Sequence, residues 1–262
     1  MRRVWPPPGP DDPSPDTELD RDALAALYAH PEGPAPFVRV NFVASADGAV
    51  TVDGRSGGLE APGDREVFGL LRELADVVLV GAGTARAEGY RGARTSPERE
   101  ARRRARGQAP VPPIAVVSRG ADLDPASPLF TDTTVAPLVL TAAEAPAEAC
   151  RALAAAGAEI VVASGGDPET TDPAAIVAAL AARGLGRVLC EGGPALFGSL
   201  LAAGLVDELC LSLAPQLAGP GAARIVEGPG LAAPRPLQLV AVVGHADGLL
   251  LRYRAAGHAC RS

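Results

Sequence analysis

The sequence contains no lysine: all 24 basic residues among its 262 are arginine. That absence excludes Schiff-base chemistry on a lysine amine and the phosphate-gripping lysine of a P-loop. Cysteine and histidine are scarce, and Cys150, Cys190, Cys210 and Cys260 show no C-x-x-C spacing and lie far in sequence from His30, His245 and His258. No metal site is expected, and free thiols fit a reducing cytoplasm. Aromatics make up only 3% of the chain, so packing falls to Val, Leu and Ala at close range. No apolar run approaches the roughly 18 residues a membrane span needs, and the start MRRVWPPPGPDDPSPD is not a secretion signal. With 31 acidic residues against 24 basic and a net charge of −7, neither nucleic acid nor an anionic membrane is an expected partner. There is no G-x-S-x-G elbow and no H-E-x-x-H pair, so serine and metal-assisted hydrolysis lack their instruments.

What is present is a chain that is 47% hydrophobic and long enough for one sizeable core. Residues 1–36, rich in Pro and Asp, read as an N-terminal arm with one short helix around Leu24 and Leu27; residues 37–262 read as a single domain. FVRVNFVA from Phe37 reads as a buried strand, GDREVFGLLRELA as a helix with Val67, Leu70, Leu71 and Leu74 on one face, and VVLVG as a buried parallel strand. The stretch 86–110, with eight arginines from Arg86 to Arg106, reads as an exposed mobile loop. Beyond it strands and helices alternate to RVLCEGG, which predicts an α/β fold with a mostly parallel central sheet and helices on both faces. The end lacks helices, and HADG between PLQLVAVVG and GLLLRYRA predicts an antiparallel edge hairpin. Val38, Val40, Phe42, Val78, Val80, Val188 and Leu189 are expected to share one buried sheet.

Three glycine-rich segments follow predicted strands, where α/β sheets bind ligands. Glu191-Gly192-Gly193-Pro194 runs into a helix whose amides and dipole suit an anion such as a pyrophosphate, although two glycines also make a plain tight turn. Gly81-Ala82-Gly83-Thr84 admits a ring or phosphate, or Thr84 merely caps a helix; Arg86 breaks the dinucleotide fingerprint. Ser45 to Gly58 is a polar loop in which Asp47 is expected to hold backbone amides. Glycine cradles, arginines and scattered carboxylates without a nucleophile suit a reaction whose reactive atom a cofactor carries.

VRVNFVASADGAVTVDGRSGG, LLRELADVVLVGAGTARAEGYRGAR and VLCEGGPALFGSLLAAGLVDELCLSLAPQLAG resemble, in order, the reductase domain of the riboflavin-biosynthesis protein RibD, most closely its stand-alone actinobacterial pyrimidine-reductase type. The resemblance spans most of residues 37–254. It implies a dihydrofolate-reductase-like fold, NADPH as cofactor and a homodimer. It further implies reduction of 5-amino-6-(5-phosphoribosylamino)uracil at ribose C1 of the ring-opened imine. By position it assigns Ser56, Arg72, Arg94 and Glu191 to the substrate, the arginines for phosphate and Glu191 for the uracil edge. To the cofactor it assigns Ala44, Gly81, Thr84, Glu88, Ser118, and Gly192, Gly193, Pro194, Ala195, Leu196, Phe197, Gly198 and Ser199; Leu196 and Phe197 are expected to give only backbone amides. Arg119, beside Ser118, would meet the 2′-phosphate, and Glu88 is the catalytic candidate. The deaminase patterns H-x-E and P-C-x-x-C of full-length RibD do not occur, so only the reductase half is expected. Glu88 stands where the family often has Asp, and Gly89-Tyr90 replaces the Asp-Pro that usually follows. Two other readings stay open on the same fold, a dihydrofolate or pterin reductase and a non-catalytic NADPH-binding protein.

Overall fold

The computed structural model describes residues 1–6, 18–31, 33 and 36–256; His258 and Cys260 lie outside them. In chain order the elements are β1 (Arg2–Trp5), α1 (Arg21–Leu27), β2 (Phe37–Ser45), α2 (Pro62–Leu74), β3 (Val77–Gly81), α3 (Ala82–Ala87), α4 (Pro97–Ala105), β4 (Ile114–Val117), α5 (Pro128–Thr131), β5 (Leu138–Thr141), α6 (Ala147–Ala155), β6 (Glu159–Val162), α7 (Pro173–Ala181), β7 (Arg187–Cys190), α8 (Pro194–Ala202), β8 (Glu208–Ala214), β9 (Leu237–His245) and β10 (Gly248–Ala255). The strands form one ten-stranded sheet in the order β1-β9-β10-β8-β2-β7-β3-β4-β5-β6. From β8 through β2 to β6 every pairing is parallel; β8, β10, β9 and β1 pair antiparallel, with the hairpin closing where Gly248 meets His245. The α/β class, the mostly parallel sheet and the C-terminal hairpin agree with the reading of the sequence.

Period-two alternation between two covered faces explains why β3, β4, β5 and β7 are predominantly apolar. Val78, Val80, Ile114, Val116, Val139 and Leu189 point into a core under α1, α2 and α6, whereas Val77, Leu79, Ala115, Leu138, Leu140, Val188 and Cys190 point into a second core under α7 and α8. Both faces are therefore covered, as parallel sheets require. Of the expected sheet core, Val38, Val40, Val78, Val80, Val188 and Leu189 are buried and Phe42 is partly so.

Two expectations need correction. Part of the presumed arm joins the sheet and core: β1 pairs with β9 along the edge, and α1, capped by Asp20, buries Leu24 while Tyr28 beyond it is also buried. The arginine-rich stretch is not a mobile loop but carries α4, capped by Ser96 with Pro97 in the first turn. Arg103 is 1% exposed and donates to the carbonyls of Glu73, Ala75 and Ala109, while Arg102 and Arg106 bond the Glu73 carboxylate. Arginine here satisfies the open carbonyl end of α2, which a count of apolar residues does not register. Among the described residues no helix is long and apolar enough to cross a membrane.

Candidate active site

The site lies at the carboxyl ends of β2, β3 and β7, around the first turn of α8. There the chain leaves β7 through Glu191 and two glycines joined by a cis peptide. Gly192 sits at φ +92, where a side chain is strained, and an added Cβ would also press on the Phe42 ring. A Cβ on Gly193 would run into the Thr84 hydroxyl. Gly81 N–H donates to Gly192 O at 2.8 Å, tying the end of β3 to this turn. Gly193 caps α8 without a side-chain bond and Pro194 occupies the first turn, so the leading amides face outward with the positive end of the helix dipole.

A cavity of about 410 Å³ opens on one side of this turn, lined by Asn41, Phe42, Ser56, Asp64, Phe68, Arg72, Thr84, Glu88, Tyr90, Glu191, Gly193, Pro194 and Glu227 among others. Within it Arg72, on α2, grips Glu191 in a bidentate pair, Nε to Oε1 at 2.6 Å and Nη2 to Oε2 at 2.7 Å. Tyr90 O–H donates to the same Oε2 at 2.6 Å, and the guanidinium lies over the Phe68 ring at 4.5 Å. Burial pulls the Arg72 guanidinium toward deprotonation, but the Glu191 charge outweighs it and holds the cation above its usual range. Burial, reinforced by Glu191, pushes the Tyr90 hydroxyl well above the ordinary phenol range. Glu88, at the end of α3, accepts the Ser56 N–H at 2.8 Å, so the glycine loop and α3 are held together by a half-buried carboxylate.

A second cavity of about 430 Å³ adjoins the other side of α8's first turn, lined by Gly81, Gly83, Arg86, Ser118, Arg119, Asp122, Thr171, Pro173, Ala195, Leu196 and Ser199 among others. Arg86 is tied to Asp122, and Arg119 is exposed. The two cavities therefore divide the sequence-derived set between them, with Ser56, Arg72, Thr84, Glu88, Glu191, Gly193 and Pro194 in the first and Gly81, Ser118, Arg119, Ala195, Leu196 and Ser199 in the second.

Other members fall elsewhere. Arg94 lines neither cavity but pairs with Asp132, which also holds Arg91. Ala44 is buried in β2 opposite Leu213, and Phe197 and Gly198 are buried in α8. Gly198 lets the 226–228 segment cross α8, since a Cβ there would collide with the Glu227 carbonyl. Arg72 is no free phosphate-binding cation, because Glu191 balances its charge. Thr84 is not a helix cap; Gly81 is. Asp47 takes the amides of Ala218 at 3.1 Å and Gly219 at 2.8 Å and the Ser45 hydroxyl, which holds its carboxyl down at about 2. It orients loops, as expected.

Several residues lining the first cavity were not expected from the sequence, Asp64, Tyr90 and Glu227 among them. Asp64, in the first turn of α2, is buried and accepts the Ser212 hydroxyl at 2.5 Å; burial raises its carboxyl above the usual range against the opposing pull of that hydrogen bond. Tyr90 was visible only as a departure from a motif. Glu227 arrives on the long connection between β8 and β9, whose polar, glycine-rich composition carries no positional signal.

Residues 36–251 match the family model described as the RibD C-terminal domain. Over 185 residues the chain is 29% identical to the 2,5-diamino-6-ribosylamino-4(3H)-pyrimidinone 5′-phosphate reductase of Archaeoglobus fulgidus, covering 70% of this chain and 82% of that one. A pyrimidine reductase-like protein of Corynebacterium diphtheriae superposes with a TM-score of 0.74 at 27% identity, over 84% of this chain and 92% of its own. The riboflavin biosynthesis reductase of Saccharomyces cerevisiae shares the fold, with a TM-score of 0.62 at 16% identity over 88% of this chain and 95% of that one. The chain thus belongs to the RibD C-terminal domain family and is an oxidoreductase of that family.

Proposed function

We propose that this protein is an NADPH-dependent reductase of riboflavin biosynthesis that reduces a phosphoribosylaminopyrimidine at ribose C1 of its ring-opened imine. The observation that carries this reading is the adjacency of the two cavities across one helix turn. One is lined by carboxylates and aromatic faces and sized for a heterocycle; the other is lined by glycines, helix amides and arginines. The name of the Archaeoglobus relative supports the substrate class.

The second cavity fits a phosphorylated dinucleotide. The Gly81–Gly193 approach leaves backbone rather than side chain at the turn, the uncapped amides of α8 suit a pyrophosphate, and the exposed Arg119 suits a 2′-phosphate. NADPH, when bound, supplies the hydride. Thr84, wedged against Gly193, sets the border between the two cavities. The Arg72–Glu191–Tyr90 cluster and Phe68 form the wall against which the pyrimidine packs, and the fixed bonds of Glu191 mean that this wall does not rearrange on binding. Ser56 lines the same cavity with its hydroxyl uncommitted among the described residues, a contact for the ribityl chain. Reduction of an imine requires a proton at nitrogen. Glu88 is the group we assign to hold it, because its Oε1 is fixed by Ser56 N–H while the carboxyl remains in the cavity wall.

The test is product identity. Purified protein with NADPH and the phosphoribosylaminopyrimidine should give a ribitylamino product two hydrogens heavier by mass spectrometry, and Glu88→Gln should abolish most of it; no such product contradicts the reading. Arg119→Ala should raise the KM for NADPH far more than that for NADH, and equal effects would contradict the 2′-phosphate assignment.

A homodimer belongs to the same proposal. Alternation and register place Leu237, Leu239, Tyr253, Leu251, Leu249 and Trp5 on one face of the antiparallel sheet edge, with Leu237 at 43%, Leu249 at 41% and Trp5 at 47% exposed. Light scattering should return twice the 26.5 kDa chain mass, and Leu249→Glu should halve it. The three described thiols are free, in keeping with a cytoplasmic enzyme.

A further inference from the structure

We propose that Asp64 reads the amino-substituted edge of the pyrimidine and makes the enzyme prefer the 2-amino ring to the uracil. This rests on the pyrimidine-reductase reading and goes beyond it by assigning the choice between two ring types to one residue.

The cavity wall carries the carboxyls of Glu60, Asp64, Glu88, Glu191 and Glu227 against the single guanidinium of Arg72. Arg72 is committed to Glu191, so the charged groups left facing a ring are acceptors, beside the neutral side chains of Asn41, Thr51, Ser56 and Thr84, and they favour a ring edge that presents N–H donors.

The carboxyls are not equally available. On Glu191 both oxygens are engaged by three donors, from Arg72 and Tyr90, and the side chain is 2% exposed. Glu88 takes the Ser56 amide at the end of α3, Glu60 is paired with Arg65 at 3.0 Å, and Glu227 stands on an exposed loop. Asp64 differs from all four. It is 7% exposed, and among the described residues no arginine lies within ion-pair distance of it. Its Oδ1 takes the Ser212 hydroxyl, while Oδ2 has no hydrogen bond among the described residues. That second oxygen is open to a donor that enters the cavity. Both members of the Asp64–Ser212 pair stand on regular elements, the first turn of α2 and the middle of β8, so the orientation is built in before any ligand arrives.

The ring chemistry then discriminates. A 2-amino-4-pyrimidinone offers its exocyclic amine and the neighbouring ring N–H side by side, two donors for one carboxylate. A uracil places a carbonyl oxygen where the amine would stand, and oxygen facing carboxylate oxygen repels.

The experiment is steady-state kinetics of the full chain with NADPH and each of the two phosphoribosylaminopyrimidines, the 2-amino compound and the uracil. Wild type should favour the 2-amino compound in kcat/KM by roughly 10- to 100-fold, the range of one hydrogen bond to a charged group. Asp64→Asn exchanges an acceptor for a donor and should move that ratio toward the uracil by about 10-fold, with the KM for NADPH unchanged. Equal wild-type turnover of both rings overturns the inference whether or not the variant folds, as does an Asp64→Asn that loses both activities in proportion. Wild-type binding of NADPH with no turnover of either pyrimidine overturns instead the proposed function on which the inference rests.

Discussion

If Arg72 is the counter-charge that makes a buried Glu191 tolerable, deleting it strands a carboxylate whose side chain is 2% exposed. Removing one partner of a fully buried pair costs about 3–5 kcal/mol. Two features lower that here: the Arg72 side chain is 35% exposed, and Tyr90 still donates to Oε2. We therefore expect Arg72→Leu to destabilise the fold by about 2 kcal/mol, a fall of roughly 4–8 °C in Tm for a domain of this size. Glu191→Gln keeps an acceptor for Tyr90 but loses the charge. In the double variant the stranded carboxylate is gone, so most of the Arg72→Leu penalty should disappear. Urea unfolding of the wild type, both single variants and the double variant gives the coupling energy directly, expected near ~1.5 kcal/mol or above. A coupling below about 0.5 kcal/mol, the range of an exposed ion pair, would refute the claim that this cluster is a fixed wall of the site.

The remaining predictions concern the frame around the site. Glu208 sits between Arg39, at 2.6 Å, and Arg252, at 2.7 Å; burial raises its carboxyl, but the two arginines outweigh that and hold it below the usual range. Glu208→Gln leaves two buried cations without their counter-charge and should cost about 3–5 kcal/mol in urea unfolding. His30, stacked edge-on against Phe37, is lowered to about 2 by burial first and then by Arg39, Arg187 and Arg252. The folded state keeps it neutral while the unfolded chain takes a proton below about pH 6.5, so its stabilisation is complete above that pH and is lost as pH falls. Between pH 6.5 and 5 the loss should approach roughly 2 kcal/mol, and His30→Gln should show a correspondingly shallower decline over that window. Gly193→Ala forces a methyl against the Thr84 hydroxyl and should weaken NADPH binding at least about 10-fold by calorimetry, a cost of order 1–3 kcal/mol; a partial recovery in the Thr84→Ala background, which removes that hydroxyl, would not follow if the turn simply unfolded.

Much of this arrangement was legible because it follows from local rules. Strands buried on both faces are predominantly apolar, and β3, β4, β5 and β7 are; a chain that turns from strand to helix beside a ligand needs glycine, and Gly81, Gly192 and Gly193 stand there. What escaped depends on partners distant in sequence. RRVW became a strand only because β9 offered it an edge, and no periodicity within four residues announces that. The Ser96-Pro97 cap and the acidic first turn did announce α4, but the density of arginines masked them until Arg103 was seen closing the end of α2. Asp64 resembled an ordinary acid at a helix start, where it complements the dipole; its burial and its bond to Ser212, 148 residues away, come from the tertiary fold. Arg94, assigned to phosphate by position, meets Asp132 instead because an unpaired guanidinium takes the nearest carboxylate.

The most direct test of the central claim is NADPH oxidation by the purified protein, offered the phosphoribosylaminopyrimidine and dihydrofolate in parallel with NADH as the control cofactor. Turnover of the pyrimidine with NADPH, and little with dihydrofolate or NADH, is the predicted result. Turnover of dihydrofolate in preference to the pyrimidine, or NADPH binding with oxidation by neither, would contradict it.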